Sequence, residues 1–270
     1  MWQFLIVFFA VLLLYFHLQF HWKTSNDLDI AHISVPNKDT LETIADLRQP
    51  FIMDRECNSE ILNSEKGLSH KLSMLKDNKI IEVPHKSLLD TLQRESAISL
   101  NNHKFLAETD YFNKNKECKE LSIYLRPFMT CSTHNDIIFG SKGASSVLKR
   151  NLNYRNYLYI LDGEVEVKLV PPKHSHYMEG NRDDESPINV WEREKMLNSS
   201  EIDTILLPLK KGTVLFLPAY WWYSVRFPKE TACVGLFSYR TFVNTLAILP
   251  QLGMKFIQDK NTSYKIEVKK

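Results

Sequence analysis

Glycine is scarce in this chain, 8 residues in 270, and none falls in a GxGxxG or Walker-type run. A dinucleotide fingerprint and a phosphate-cradling loop are therefore both missing, as are collagen-like and linker-rich designs. Cysteine is thin as well. Cys57, Cys118, Cys131 and Cys233 lie far apart with no CxxC pair, which excludes a zinc knuckle and a dithiol redox motif. Buried thiols are the plain reading and a disulfide the alternative. Charge of one sign is absent: 34 Lys and Arg are scattered among 32 Asp and Glu, for a net +2. No basic stripe exists to hold a nucleic acid. No histidine occurs after His176, so the late part of the chain supplies no imidazole. The sequons at Asn198 and Asn261 matter only if the chain faces a secretory lumen.

What the sequence does have is a long apolar run at its N-terminus. Trp2 to Trp22 is 21 residues, 13 of them Leu, Ile, Phe or Val, with no Lys, Arg, Asp or Glu. As a helix it extends roughly 31 Å at 1.5 Å per residue, against about 30 Å of bilayer hydrocarbon. The apolar residues outweigh His17, Gln19 and His21, which sit near one end, and Trp2 and Trp22 bracket the run as interfacial aromatics do. A cleaved signal peptide would carry a basic n-region and an A-x-A-like site, and neither is present. The run reads as an uncleaved single-pass anchor, one continuous helix standing clear of the rest. Lys23 tips the positive-inside rule slightly towards a cytosolic domain.

The remaining composition, 44% apolar and 24% charged overall, is that of an ordinary globular protein. The expected division is an anchor over 1–23, a polar stalk over 24–38, one domain over 39–260 and a tail over 261–270. A capping-box spacing at Asp39-Thr40-Leu41-Glu42 predicts a short helix, and Pro50 to Met53 a strand. Apolar residues at helical intervals from Ser59 to Lys76 and from Pro84 to Arg94 predict a largely helical front half. Beyond about Leu121 the period changes. Tyr157 to Leu161, the step Asp162-Gly163, and the alternating Glu164 to Leu169 predict a half-buried hairpin. Further strands are expected over Gly212–Leu217, Trp221–Phe227 and Ala232–Tyr239, then helix from Thr241 to Gln258 interrupted at Pro250 and Gly253. No βαβ alternation is visible, so a closed sandwich or barrel is favoured over a doubly wound sheet.

The string Gly212-Thr213-Val214-Leu215-Phe216-Leu217-Pro218-Ala219-Tyr220-Trp221-Trp222 resembles the late strand pair of JmjC-like and cupin-like oxygenases. Asn156, Gly163 and Pro171-Pro172 resemble the central strands of that family, and Arg48 to Ile52 its first strand. The strings Tyr154-Arg155-Asn156-Tyr157 and Ala219 to Tyr223 look closest to uncharacterised cupin-like proteins of large DNA viruses. The resemblance implies a mainly β fold, a double-stranded β-helix of the cupin or jelly-roll kind with flanking helices, beside the one transmembrane helix.

Active members of that family hold Fe(II) with His-x-Asp/Glu and a distal His, leaving positions open for 2-oxoglutarate and O₂. Carried across, the His-x-Asp positions are Arg150 and Leu152, the distal histidine is Tyr223, and the cosubstrate lysine is Val165. None of the four suits the chemistry. Strand parity puts Arg150 and Leu152 on one face and Trp221, Tyr223 and Val225 on another; the resemblance implies that both faces turn into the barrel and bring Arg150 near Tyr223, whereas a register shifted by one residue turns Arg150 outward. Relocated ligands are the alternative, drawn from His134, Asp136, His174 and His176; as loop or surface residues these are expected not to converge. The chain reads as a membrane-anchored, non-catalytic binding or structural module, a pseudoenzyme without cofactor, whose partner is an unknown protein or small molecule. The alternative is a hydroxylase using Fe(II) and 2-oxoglutarate.

Overall fold

The computed structural model describes residues 2–55, 71–76, 79–84, 97–178, 185–186, 188–191 and 202–261. Trp2–Trp22 forms one continuous helix, α1, exposed along almost its whole length and apolar enough to cross a membrane. It does not stand clear at its end. The Trp22 indole N–H donates to the Ala247 carbonyl at 3.0 Å, and the ring of buried His21 meets that of Tyr154 at 4.9 Å. The stretch expected as a stalk is also tied down. Ala31–Ile33 forms β1, pairing in parallel with β2, Phe51–Asp54, while Asn26 accepts the Lys173 backbone N–H at 2.8 Å.

Between those strands lies α2, Lys38–Asp46. Its cap is Asn37, whose side chain accepts the Thr40 N–H at 2.8 Å, rather than Asp39; Asp39 sits in the first turn, where a carboxylate suits the helix dipole. The helical expectation for Ser59–Lys76 fails where it can be tested. Lys71–Lys76 is β3, antiparallel to β4, Lys79–Pro84; residues 59–70 and 85–94 lie outside the described residues. Three helices that the sequence pattern missed follow the short β5, Ile98–Ser99. These are α3 (His103–Thr109), α4 (Tyr111–Lys114) and α5 (Lys116–Leu125).

Then come β6 (Thr130–Gly140), β7 (Leu148–Arg150), β8 (Arg155–Asp162) and β9 (Glu164–Val170). A 3-10 turn over Pro172–Tyr177 leads to β10 (Glu185–Ser186), β11 (Ile205–Lys210), β12 (Thr213–Pro218), β13 (Trp222–Arg226) and β14 (Ala232–Thr241). The chain closes with α6 (Phe242–Ala247) and α7 (Leu249–Asn261). The break between them falls at Ile248; Pro250, in the first turn of α7, costs no hydrogen bond there, and Gly253 does not interrupt the helix.

Two sheets result, in the orders β1-β2-β12-β8-β14-β6-β5-β3-β4 and β10-β7-β13-β9-β11. The expected hairpin is therefore not one. β8 pairs with β12 and β14, β9 with β11 and β13, and Asp162-Gly163 is a corner between the sheets. Gly163 has φ +75°, and a Cβ on it would lie 2.6 Å from that of Ala232. An Asp-Gly step dictates a sharp turn, not which strands pair beyond it.

Because side chains alternate along a strand, the central strands of the larger sheet bury both faces. Tyr157, Tyr159, Val214, Phe216, Phe237 and Tyr239 pack under α2 to α5. Leu158, Ile160, Leu215 and Val234 meet Val167, Leu169, Tyr223 and Val225 between the sheets. A third cluster, with Leu148, Val170, Met178 and Trp222, covers the outer face of the smaller sheet. Trp221 and Trp222 accordingly part company, one packed between the sheets and the other outside. Cys118 and Cys233 are buried thiols, but Cys131 is exposed.

Candidate functional site

The register of the smaller sheet fixes the site. On β7 and β13, Arg150 lies opposite Trp222 and Lys149 opposite Tyr223. Trp222 belongs to the outer cluster, and the Arg150 guanidinium lies over its ring at 5.0 Å. Arg150 thus does not share the barrel interior with Tyr223: β7 ends at residue 150, and the loop to β8 takes up a different number of residues than continuous strand parity assumes. Leu152 lies in that loop, its carbonyl accepting from Asn244 at 3.4 Å. Val165 packs between the sheets.

Lys149 is the residue facing Tyr223. Its ammonium lies 5.7 Å from the ring centroid. Burial disfavours the lysine charge, but Tyr223, Asp136 and Glu185 outweigh it and hold Lys149 above the ordinary lysine range. Burial raises Tyr223 too, against the pull of Lys149. Asn151 donates to the Tyr223 hydroxyl at 3.4 Å. The third member is Asp136 on β6, whose carboxylate accepts the backbone N–H groups of Asn102 at 2.6 Å, Ile137 at 2.9 Å and Asn101 at 3.1 Å. Burial nevertheless lifts it above the usual carboxylate range, the Lys149 charge and these bonds offsetting only part.

Of these three, Asp136 lines a cavity of about 680 Å³, with Asp110, His134, Arg150, Asn151, Arg240 and Lys255 among its other lining residues. Arg240 is held by a neutral partner, the Asn153 side-chain carbonyl, at 2.7 and 3.1 Å. Ser238, which pairs with His134 across β14 and β6, also lines the cavity, and its buried hydroxyl has no hydrogen-bond partner among the described residues. His134 is held below the ordinary imidazole range by burial first and by neighbouring Arg240, His103 and Lys255 second.

The donor set does not fit Fe(II). His134 and Asp136 share a face of β6, but His134 Nε2 is bonded to the Ser132 hydroxyl at 2.9 Å, and Asp136 is engaged by three N–H groups and feels the charge of Lys149. Among the described residues no three His, Cys, Asp or Glu side chains gather as a metal would require. His174 lies elsewhere, on the 3-10 turn, accepting the Asp203 backbone N–H at 3.2 Å, and the His176 ring packs on that of Tyr177 at 3.8 Å.

Lys149, Asn151, Ser238 and Arg240 were not among the residues singled out from the sequence. The available signal was Leu148: an apolar residue at that position can satisfy a buried outer face just as well as an inner one, and the outer face proved to be buried.

A comparison with curated proteins finds no match. A comparison with protein families matches residues 49–243 to the cupin-like domain, a span that contains every β-strand from β2 to β14 and leaves α1 outside. With two facing sheets, a central cavity at their mouth and this match, the chain belongs to the cupin-like domain family.

Proposed function

We propose that this chain is a membrane-anchored cupin-like module that binds an anionic small molecule at the barrel mouth and performs no iron chemistry there. The observation that carries the reading is a cavity lined by Arg150, Arg240 and Lys255, next to Lys149, whose ammonium faces Tyr223 on the inner side of the smaller sheet. A second, divalent cation beside that ammonium is opposed by Coulomb repulsion in a partly desolvated site, whereas a carboxylate or phosphate gains from it. Ser238 and Asn151 add neutral hydrogen-bonding groups that fix orientation. The anchor is supported by the length and apolar character of α1. The kinship to cupin-like proteins of large DNA viruses rests on the strings Tyr154–Tyr157 and Ala219–Tyr223.

One observation favours a second reading, an Fe(II)- and 2-oxoglutarate-dependent hydroxylase with relocated ligands: His134 and Asp136 line the same cavity. Calorimetric titration of the full chain in detergent micelles with 2-oxoglutarate, succinate and inorganic phosphate, without metal, separates the two. The expected result is saturable binding of at least one of these anions, weakened by Arg240→Gln. Binding that appears only when Fe(II) is added would favour the hydroxylase, and no binding of any would end the anion-site reading.

A further inference from the structure

The surface of α7 is inverted relative to that of an ordinary surface helix, which turns its polar side to water. Among its described side chains every exposed residue is apolar or glycine: Leu249, Pro250, Gly253, Met254, Phe256 and Ile257. Gln251 and Lys255 are the ones turned towards the body of the protein. Met254 is 50% exposed and Ile257 53%, and on the preceding helix Phe242 is 62% exposed.

This apolar face is continuous with α1. The last turn of α1 packs on α6, fixed by the hydrogen bond from the Trp22 indole to the Ala247 carbonyl, and Ala247 is two residues from the start of α7. A tryptophan at the end of a spanning helix sits at headgroup level. The junction of α6 and α7 is therefore within side-chain reach of the point where α1 leaves the hydrocarbon. A helix with an exposed apolar face that starts beside the end of a spanning helix is placed to lie in the interface as an amphipathic membrane helix does.

We infer that the outer face of α6 and α7 lies in the headgroup region of the same bilayer that α1 spans, so that the domain rests against the membrane instead of swinging on a tether. The inference rests on the anchor reading of α1. It also places the cavity, because Leu252 and Lys255 of α7 line it: one rim of the barrel mouth stands at the membrane surface. The occupant of the apolar face is lipid, in preference to a second copy of the chain, because the face adjoins the segment that enters the bilayer.

The test uses the full chain in vesicles of phosphatidylcholine and phosphatidylglycerol, with p-benzoylphenylalanine in place of Phe9, Met254, Ile257 or Lys142, one at a time. Lys142 is exposed and lies beyond Gly140, at the opposite end of the β6–β14 ladder from α6. After irradiation, mass spectrometry reads lipid adducts. The expected result is lipid adducts at Phe9, Met254 and Ile257 and their loss at Lys142. Adducts at Phe9 without any at Met254 and Ile257, or crosslinks there between two copies of the chain, overturn the inference and leave the anchor standing. No lipid adduct at Phe9 overturns the anchor reading and the inference with it.

Discussion

Lys149 and Tyr223 stand opposite one another on β7 and β13, the lysine ammonium 5.7 Å from the centre of the phenol ring, and the charge of Asp136 on β6 acts to keep that lysine protonated. The pair sets a lysine on the inner side of the smaller sheet, where Tyr223 packs. Removing Lys149 as Lys149→Met leaves a half-buried carboxylate without its counter-charge. The expected loss is about 1–3 kcal/mol in the free energy of urea unfolding, the range for a desolvated group that loses its partner. Adding Asp136→Asn to Lys149→Met should recover part of it. An unchanged midpoint for Lys149→Met would mean that water, not Asp136, satisfies the ammonium.

Anion binding should depend on pH through His134. Its folded pKa is depressed by burial and by Arg240, His103 and Lys255, so protonation opposes folding: the stability it contributes is present above the ordinary imidazole value, about 6.5, and is lost as pH falls through the lower folded value. A bound anion relieves the repulsion and raises that value. Binding should therefore take up a proton and strengthen as pH drops below about 6.5. Calorimetry in buffers of different ionisation enthalpy measures the uptake, and His134→Asn should abolish it. Equal uptake in the variant would assign the proton to another group.

The buried guanidinium of Arg155 makes a sharper stability test than any surface pair. Its side chain is 0% exposed and is bonded to Asp46 at 2.5 Å and Glu42 at 3.3 Å. Asp46→Ala is expected to cost about 3–5 kcal/mol by stranding a buried charge. Glu120→Gln, which removes the exposed 3.9 Å pair with Lys116, should cost less than about 1 kcal/mol. Comparable losses would show that Glu42 alone can hold Arg155.

Gly163 turns the chain from one sheet to the other with φ +75° and almost touches Ala232. Gly163→Ala should destabilise by more than about 1 kcal/mol, since a positive φ and a clash act together. Gly163→Ala with Ala232→Gly removes the clash but not the backbone strain, so its unfolding midpoint should fall between those of Gly163→Ala and the natural chain. Full recovery would mean that the corner tolerates a side chain at that φ.

The strands were legible where alternation or continuous apolar runs left one choice, as in Tyr157 to Leu161 and Val214 to Leu217, both buried on two faces. Register was not. Arg150 and Lys149 exchange roles through the loop Asn151–Tyr154, whose geometry no strand parity fixes. Ser59–Lys76 carries apolar residues at helical intervals, yet Lys71–Lys76 joins the sheet through β5, because pairing with a distant strand outweighs a weak local period. The helices α3 to α5 went unread for the opposite reason: their apolar residues, such as Phe105, Phe112 and Leu121, are split among short segments that break at Asp110 and Asn115. Alternation grouped Tyr223 with Trp221 and Val225 on one face, and the family resemblance turned that face inward, where all three pack. Ser238 and Arg240 carry no such pattern, and only the pairing of β14 with β6 brings them to the cavity.

The most direct measurement is elemental analysis of the full chain after anaerobic incubation with Fe(II) and 2-oxoglutarate and removal of excess metal. With a lysine facing Tyr223 on the inner side of the smaller sheet, iron should remain far below one per chain, and Lys149→His, which exchanges the cation for an imidazole, should raise it. One iron per natural chain, retained through desalting and accompanied by 2-oxoglutarate decarboxylation, would contradict the account and make His134 and Asp136 the ligands to pursue.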